Sequence, residues 1–128
     1  MRKHKYQAWH RAQQKMYHVE NMLFGENGIR LLYLTNPDGS RGMTTDKLED
    51  IDLREYIGIA DKNGKEIYEG DYLNLKLGND TLEVRWSVFG FRFFNVKRNE
   101  WQMVWAADLK RLTVIGNIYE LPIIAADF

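Results

Sequence analysis

From Tyr72 to Trp86 apolar and polar residues alternate with a period of two, a pattern that admits little besides a β-hairpin with one buried face. Leu73, Leu75 and Leu77 fall on one side, and Tyr72, Asn74 and Lys76 on the other. After Gly78-Asn79-Asp80, Leu82, Val84 and Trp86 alternate again with Glu83 and Arg85. Successive strand side chains point to opposite faces, and a glycine-bearing turn between two such runs closes a hairpin. A second hairpin is predicted to turn near Phe89-Gly90 and return through "FRFFNV". Phe91, Phe93 and Phe94 cannot share one face, so this strand is covered on both sides or twisted.

Other strands follow from the same logic. "LTVIGNIY" places Leu112, Val114 and Ile118 on one parity, with Gly116 as a bulge or close backbone approach. "LREYIGIA" reads as a strand closed by the turn "DKNG", and "LLYL" as a short strand before the loop "NPDGSRG". Two short helical segments are predicted. Thr45-Asp46 caps one turn through "DKLEDI", and Trp101, Val104, Trp105 and Leu109 sit at helix-like spacing that suits a short helix or a 3₁₀ turn. The first twenty residues fit two descriptions: Ala12, Met16, Val19 and Leu23 suit a helix, while "KYQAW" and "KMYHV" suit a hairpin.

Composition narrows the class. With 128 residues, 45% of them hydrophobic and 13% aromatic, the chain can bury a core of its own. It has no cysteine, which removes disulfides, thiol nucleophiles and cysteine-ligated zinc and suits a reducing, cytoplasmic setting. No apolar run reaches the roughly 18–20 residues of a membrane span. No apolar h-region follows the basic opening "MRKHKYQAW", so no signal peptide is expected. Net charge is zero but unevenly distributed. Six Lys and Arg face two acids over residues 1–30, ten acids face five bases over 38–71, and seven bases face four acids over 72–111. Such blocks cancel when strands pair, or leave a basic patch.

Chemistry is hard to find. The acidic stretch "DKNGKEIYEGDYL" places Asp61, Glu66, Glu69 and Asp71 around two glycines. Calcium loops need glycine at position 6 and glutamate at position 12. Counting from Asp61, Gly64 falls at position 4 and Tyr72 at position 12. General acid–base catalysis needs two carboxyls in unlike surroundings, and nothing near Glu69 and Asp71 supplies them. "DTLEVR" has arginine where a metal nuclease would want lysine. The preferred reading is structural: Asp61 caps a turn, Gly64 supplies positive φ, and Gly70-Asp71 bends into the next strand. His4, His10 and His18 are spaced for neither a helical nor a strand metal pair, and are expected to be exposed. There is no Gly-x-Ser-x-Gly elbow and no glycine-rich phosphate loop. No catalytic residue, metal ligand, cofactor or small-molecule substrate is assigned.

One stretch suggests binding. "RWSVFGFRFFNVKRNEW" interleaves aromatics with Arg85, Arg92, Lys97 and Arg98, which with Trp101 form the candidate nucleic-acid site. "FGFRFF" echoes an RNA-recognition strand, but the preceding basic residue is missing and Arg92 stands where an aliphatic belongs. The competing reading, that most of these aromatics are interior, is preferred because apolar strand residues are usually buried.

Three blocks carry a family resemblance: "YQAWHRAQQKMYHV", "REYIGIADKNGKEIYEGDYL" and "VIGNIYELP". Together they resemble the YopX family, small proteins of bacteriophages, prophages and other mobile elements. Gln7, His10 and Ile57 depart from that family's usual arginine, acid and threonine. The resemblance implies a mainly β fold. Residues 1–52 would be a β-rich N-terminal arm, 53–122 an SH3-like small barrel, and 123–128 a tail, with one or two short helices. It also favours the hairpin for the first twenty residues. It carries over no activity. The expected function is a non-enzymatic accessory protein in the cytoplasm of a bacterial host, acting by protein interaction or self-association through the barrel edge or the arm. The alternative is nucleic-acid binding through Arg85, Arg92, Lys97, Arg98 and Trp101.

Overall fold

The structure is a computed structural model that describes residues 4–75 and 80–120. The Gly78-Asn79 turn, Lys76, Leu77 and the tail 123–128 therefore lie outside the described residues. The chain is mainly β and divides into two compact units, with the boundary between Glu55 and Tyr56.

The first unit is an antiparallel sheet. Its strands are β1 (Tyr6–His10), β2 (Lys15–Gly25), β3 (Gly28–Thr35), β4 (Arg41–Thr45) and the first half of β5 (Ile51–Ala60). They lie in the order β4-β3-β2-β1-β5. The hairpin description of the first twenty residues is the one adopted, and the helical alternative is not. Ala8 pairs with Tyr17 on one side and Leu53 on the other, so β1 satisfies its backbone in two ladders at once. Gln14 closes the turn with a φ of 53°. Ala8, Tyr17, Leu32, Leu34 and Ile51 form the core of this sheet.

The cap predicted at Thr45-Asp46 is corrected. Thr45 Oγ1 instead accepts the Lys47 amide at 3.1 Å, and a 3₁₀ turn over Leu48–Asp50 follows without a side-chain cap. Gly42 is required for a different reason: a Cβ there would lie 2.2 Å from the Leu34 carbonyl oxygen, where the β3–β4 register shifts.

The second unit contains the rest of β5, then β6 (Glu66–Tyr68), β7 (Asp71–Asn74), β8 (Thr81–Ser87) and β9 (Gly90–Asn95). It ends with β10 (Glu100–Gln102), the one-turn helix α1 (Ala106–Leu109) and β11 (Thr113–Asn117). A five-stranded antiparallel sheet runs β10-β9-β8-β7-β11, and the end of β5 pairs with β6. Among the described residues this sheet is open, with β10 and β11 at its edges, rather than closed as a barrel. Period-two reading placed Leu73, Leu82 and Val84 correctly on the core side, and misplaced Trp86, which is 61% exposed. Leu73, Leu82 and Val84 are almost wholly buried with Ile67 and Leu112, each burial contributing about 1.5–3 kcal/mol. The expected bulge at Gly116 is present as a register shift between Val114 and Gly116.

The short helical segment predicted from the spacing of Trp101 to Leu109 is present, but it does not include Trp101. Trp101 belongs to β10, opposite Phe94, and only Ala106–Leu109 is helical. Buried Asn95 is the cause. Its Oδ1 accepts the amides of Lys97 and Arg98, and Asn99 takes a φ of 54°, so the chain folds back as a strand. No helix among the described residues is long and apolar enough to cross a membrane.

Asp61 joins two distant parts of the second unit. Its Oδ1 accepts the amides of Asn63 and Lys65 at 2.8 and 2.9 Å, closing the turn in which Gly64 has a φ of 82°. Its Oδ2 accepts the Val114 amide of β11 at 3.0 Å. Burial alone would raise the pKa of this carboxyl. The Val114, Lys65 and Asn63 amides, aided by the Lys65 charge, outweigh that effect and hold it below the usual value.

Two stability predictions follow from these contacts. Gly42→Ala should cost about 1–3 kcal/mol in urea unfolding, because the overlap is with backbone and cannot relax by a side-chain turn. Asp61→Asn should cost a similar amount, about 1–3 kcal/mol at neutral pH, by setting an amide donor against backbone donors. Because folding depresses the Asp61 pKa below its unfolded value of about 3.9, its contribution is complete above that pH. It is lost as the pH falls through the folded-state value. The wild type should therefore lose stability on acidification below about pH 4, and Asp61→Asn should flatten that part of the profile.

Candidate functional site

The acidic stretch from Asp61 to Asp71 is committed to architecture. Besides the Asp61 contacts, Asp71 is only 2% exposed and its Oδ2 accepts the Tyr68 amide at 2.8 Å. Gly70 has a φ of 86°, donates its amide to the Val84 carbonyl and accepts the Ile118 amide. Among the described residues no three His, Asp or Glu side chains converge as a metal site. The expectation of exposed histidines is corrected at His10, which is 8% exposed and whose Nδ1 accepts the Gln13 amide in the β1–β2 turn.

The candidate binding residues separate into two groups. Arg85, Arg92 and Trp101 share the outer face of the five-stranded sheet, where Arg85 lies opposite Arg92 and Phe94 lies between Glu83 and Trp101. The Arg85 guanidinium sits 3.7 Å from the Phe94 ring centroid, and that of Arg92 sits 4.6 Å from the Trp101 ring. Phe94 and Trp101 meet edge to face at 5.3 Å. Arg85 also pairs with Glu83 at 2.7 Å. Behind this pair the Tyr72 hydroxyl is pushed up in pKa by burial and by the Glu83 carboxylate, with Arg85 acting in the opposite direction. Lys97 and Arg98 fall outside this face, in the β9–β10 turn, where Arg98 lies 3.5 Å from Asp80.

Two cations placed directly opposite each other are ordinarily unfavourable in a sheet. Here each lies against the electron-rich face of an aromatic ring, worth about 0.5–1 kcal/mol or more. The consequence for binding is direct: the ring faces on which a base would stack are already covered by guanidinium groups. Among the described residues the charged groups of this face are Arg85, Arg92 and Glu83.

The preferred expectation, that most aromatics of this stretch are interior, holds only for Phe91 and Phe93, which pack on the core. Phe94 and Trp101 belong to the outer face. Trp86 has the inward parity, yet at the end of β8 it is 61% exposed and rests edge-on against Phe91 at 4.8 Å. Val88 and Phe89 form the β8–β9 loop and are 92% and 84% exposed. The Ser87 hydroxyl, accepting from Phe89 and donating to the Gly90 carbonyl, holds that loop, with Gly90 at a φ of 100°. Beside it Val84, Phe91 and Phe93 of the sheet, with Ile57, Ile59, Val104 and Leu109, line a mainly apolar cleft of about 210 Å³, in which Arg92 is the one charged residue.

Sequence reasoning did not single out this tip. The signal was legible, since tight hairpin loops favour Asn, Asp and Gly, whereas "SVFG" places valine and phenylalanine there.

The same arrangement of strands occurs in solved structures. Protein EF1440 from Enterococcus faecalis superposes with a TM-score of 0.68 at 21% identity, covering 95% of this chain and 97% of that one. Protein yopX from Bacillus subtilis superposes with a TM-score of 0.58 at 19% identity, covering 92% and 94%. No curated protein matches the chain. At these identities the structural likeness concerns the fold. Membership rests on sequence, for the model of the YopX protein family matches residues 5–124, a span that includes both the Asp61 turn and the strand it binds. By that match the chain belongs to the YopX protein family.

Proposed function

We propose that the chain is a non-enzymatic binding or assembly module that engages protein, working in a bacterial cell as an accessory of a phage or mobile element. The phage setting comes from the resemblance of its sequence blocks. The SH3-like description is supported by connectivity: β7 to β10 run as a meander, and β11 returns beside β7 after a single helical turn. The observation that carries the binding reading is the tip formed by Trp86, Val88 and Phe89. Folding does not need apolar residues at a hairpin loop, and exposing them has a cost in water that a partner removes. Trp and Phe are also the side chains that anchor protein interfaces.

A second reading has one observation in its favour. Arg92, stacked on Trp101, has no ion-pair partner among the described residues, so it is available to a phosphate. With Arg85 matched by Glu83, the face offers little net charge, and phosphate contacts supply most non-specific nucleic-acid affinity.

Two measurements test these readings. A photo-crosslinking phenylalanine analogue at position 89, in bacterial cells producing the full chain, should yield protein adducts. Absence of any adduct above that of the same analogue at exposed Lys110 would overturn the protein-binding reading. Fluorescence anisotropy with single-stranded DNA and RNA at two salt concentrations should show no salt-sensitive binding. Tight low-salt binding that weakens in Arg92→Ala would instead favour the nucleic-acid reading.

A further inference from the structure

We infer that the protein engaged by the β8–β9 tip is a second copy of this chain, held by reciprocal insertion of each Phe89 into the apolar cleft of the other. The inference rests on the protein-binding reading above and names its partner. Three observations support it.

The first is shape. The tip projects and the cleft recedes on the same part of the sheet, joined through Phe91, which lines the cleft and carries Trp86 on its edge. A twofold interface places one patch against its own copy, so the patch must contain both a knob and a hole. The cleft also has the right capacity. An apolar cavity of about 150 Å³ holds one benzene ring, so about 210 Å³ accommodates a phenylalanine side chain. It lies below the roughly 300–1,000 Å³ of sites that enclose a small-molecule ligand or cofactor.

The second is charge. From Trp86 to Phe91 there is no ionisable residue, and the whole chain has zero net charge. The tip therefore brings no charge of its own to the cleft, where Arg92 is the one charged residue of the lining and rests on the Trp101 ring, and two copies meet without net repulsion.

The third is area. Two aromatics of about 150–250 Å² each, together with Val88, leave on the order of 400–500 Å² of apolar side chain in water at one tip. Two copies bring nearly the roughly 1,000 Å² that a specific interface needs, before the cleft walls are counted. Met103 and Trp105, exposed at 74% and 70% on either side of Val104 in sequence, add further apolar area.

Sedimentation velocity of the full chain over a wide concentration range tests this directly. The wild type should pass from monomer to dimer with rising concentration. Phe89→Asp should weaken association by more than about tenfold, as expected for a central aromatic anchor. Aspartate before Gly90 suits the turn, so the hairpin is retained and circular dichroism should be unchanged. Val104→Glu, which puts a carboxylate in the cleft, should weaken association in the same way. A mixture of the two variants should recover partial association, because one intact tip then meets one intact cleft.

In a mixture of heavy-isotope and ordinary copies, crosslinks from position 89 should join differently labelled chains and map to Ile57, Val104 or Leu109. This last measurement stands even if Val104→Glu fails to fold. A wild type that stays monomeric throughout, a Phe89→Asp variant that associates undiminished, or crosslinks confined within one chain would each overturn the inference. In cells, adducts at position 89 with a different protein would uphold the binding reading while overturning the second copy. No adduct at all would overturn both.

Discussion

The carboxylate of Asp61 is the interaction on which the second unit depends. Three backbone donors from two segments about fifty residues apart converge on its two oxygens, and no neutral side chain of that size can accept from all three. The contact is reinforced on both sides of it. The Lys62 amide bonds to the Leu112 carbonyl, and the Ile118 amide bonds to the Gly70 carbonyl at 2.9 Å. Gly70 also lies so close under Ile118 and Tyr119 that a Cβ there would sit 3.1 Å from either. The two sequence blocks that carry the family resemblance in this unit are thus the two halves of one clasp. That accounts physically for their co-occurrence without any catalytic role.

With the edge strand held in this way, the five-stranded sheet presents two different surfaces. Its inner face is a compact apolar core of Leu73, Leu82, Val84, Ile67 and Leu112. Its outer face is a lattice in which each guanidinium covers an aromatic ring, which makes it a finished surface more than an open platform. The unfinished surface is at the end of the sheet, where Trp86, Val88 and Phe89 remain in water beside an apolar cleft. Dispersion and water exclusion are still to be gained at the tip and not on the face.

Much of the fold was legible beforehand. Strand parity in β7, β8 and β9, the bulge at Gly116, the turn at Asp61–Gly64 and the bend at Gly70-Asp71 all depend on local rules that a few residues satisfy alone. Less of the candidate site could be read. The stretch from Arg85 to Trp101 announced aromatics and cations, but not that Arg85 and Arg92 would be opposite each other, nor that Lys97 and Arg98 would leave the face. Those outcomes follow from the register of β8 on β9 and from the buried Asn95 that turns the chain into β10. Helical spacing misled at Trp101 for the same reason: a periodicity of a few residues carries less weight than a side chain that satisfies two backbone amides at once.

Alternation, turn residues and the family blocks were enough to establish a mainly β chain, the places of its turns and its family. These properties depend on residue type and local spacing, which the linear order states outright. Which aromatics are interior, which cover cations and which stand in water was settled by the pairing of strands. Trp86 shows the difference: its parity assigns it to the core, and its place at the end of β8, past the part paired with β7 and met only by Phe91 of β9, leaves it exposed. Burial is a property of what arrives from elsewhere in the chain, so no local pattern can supply it.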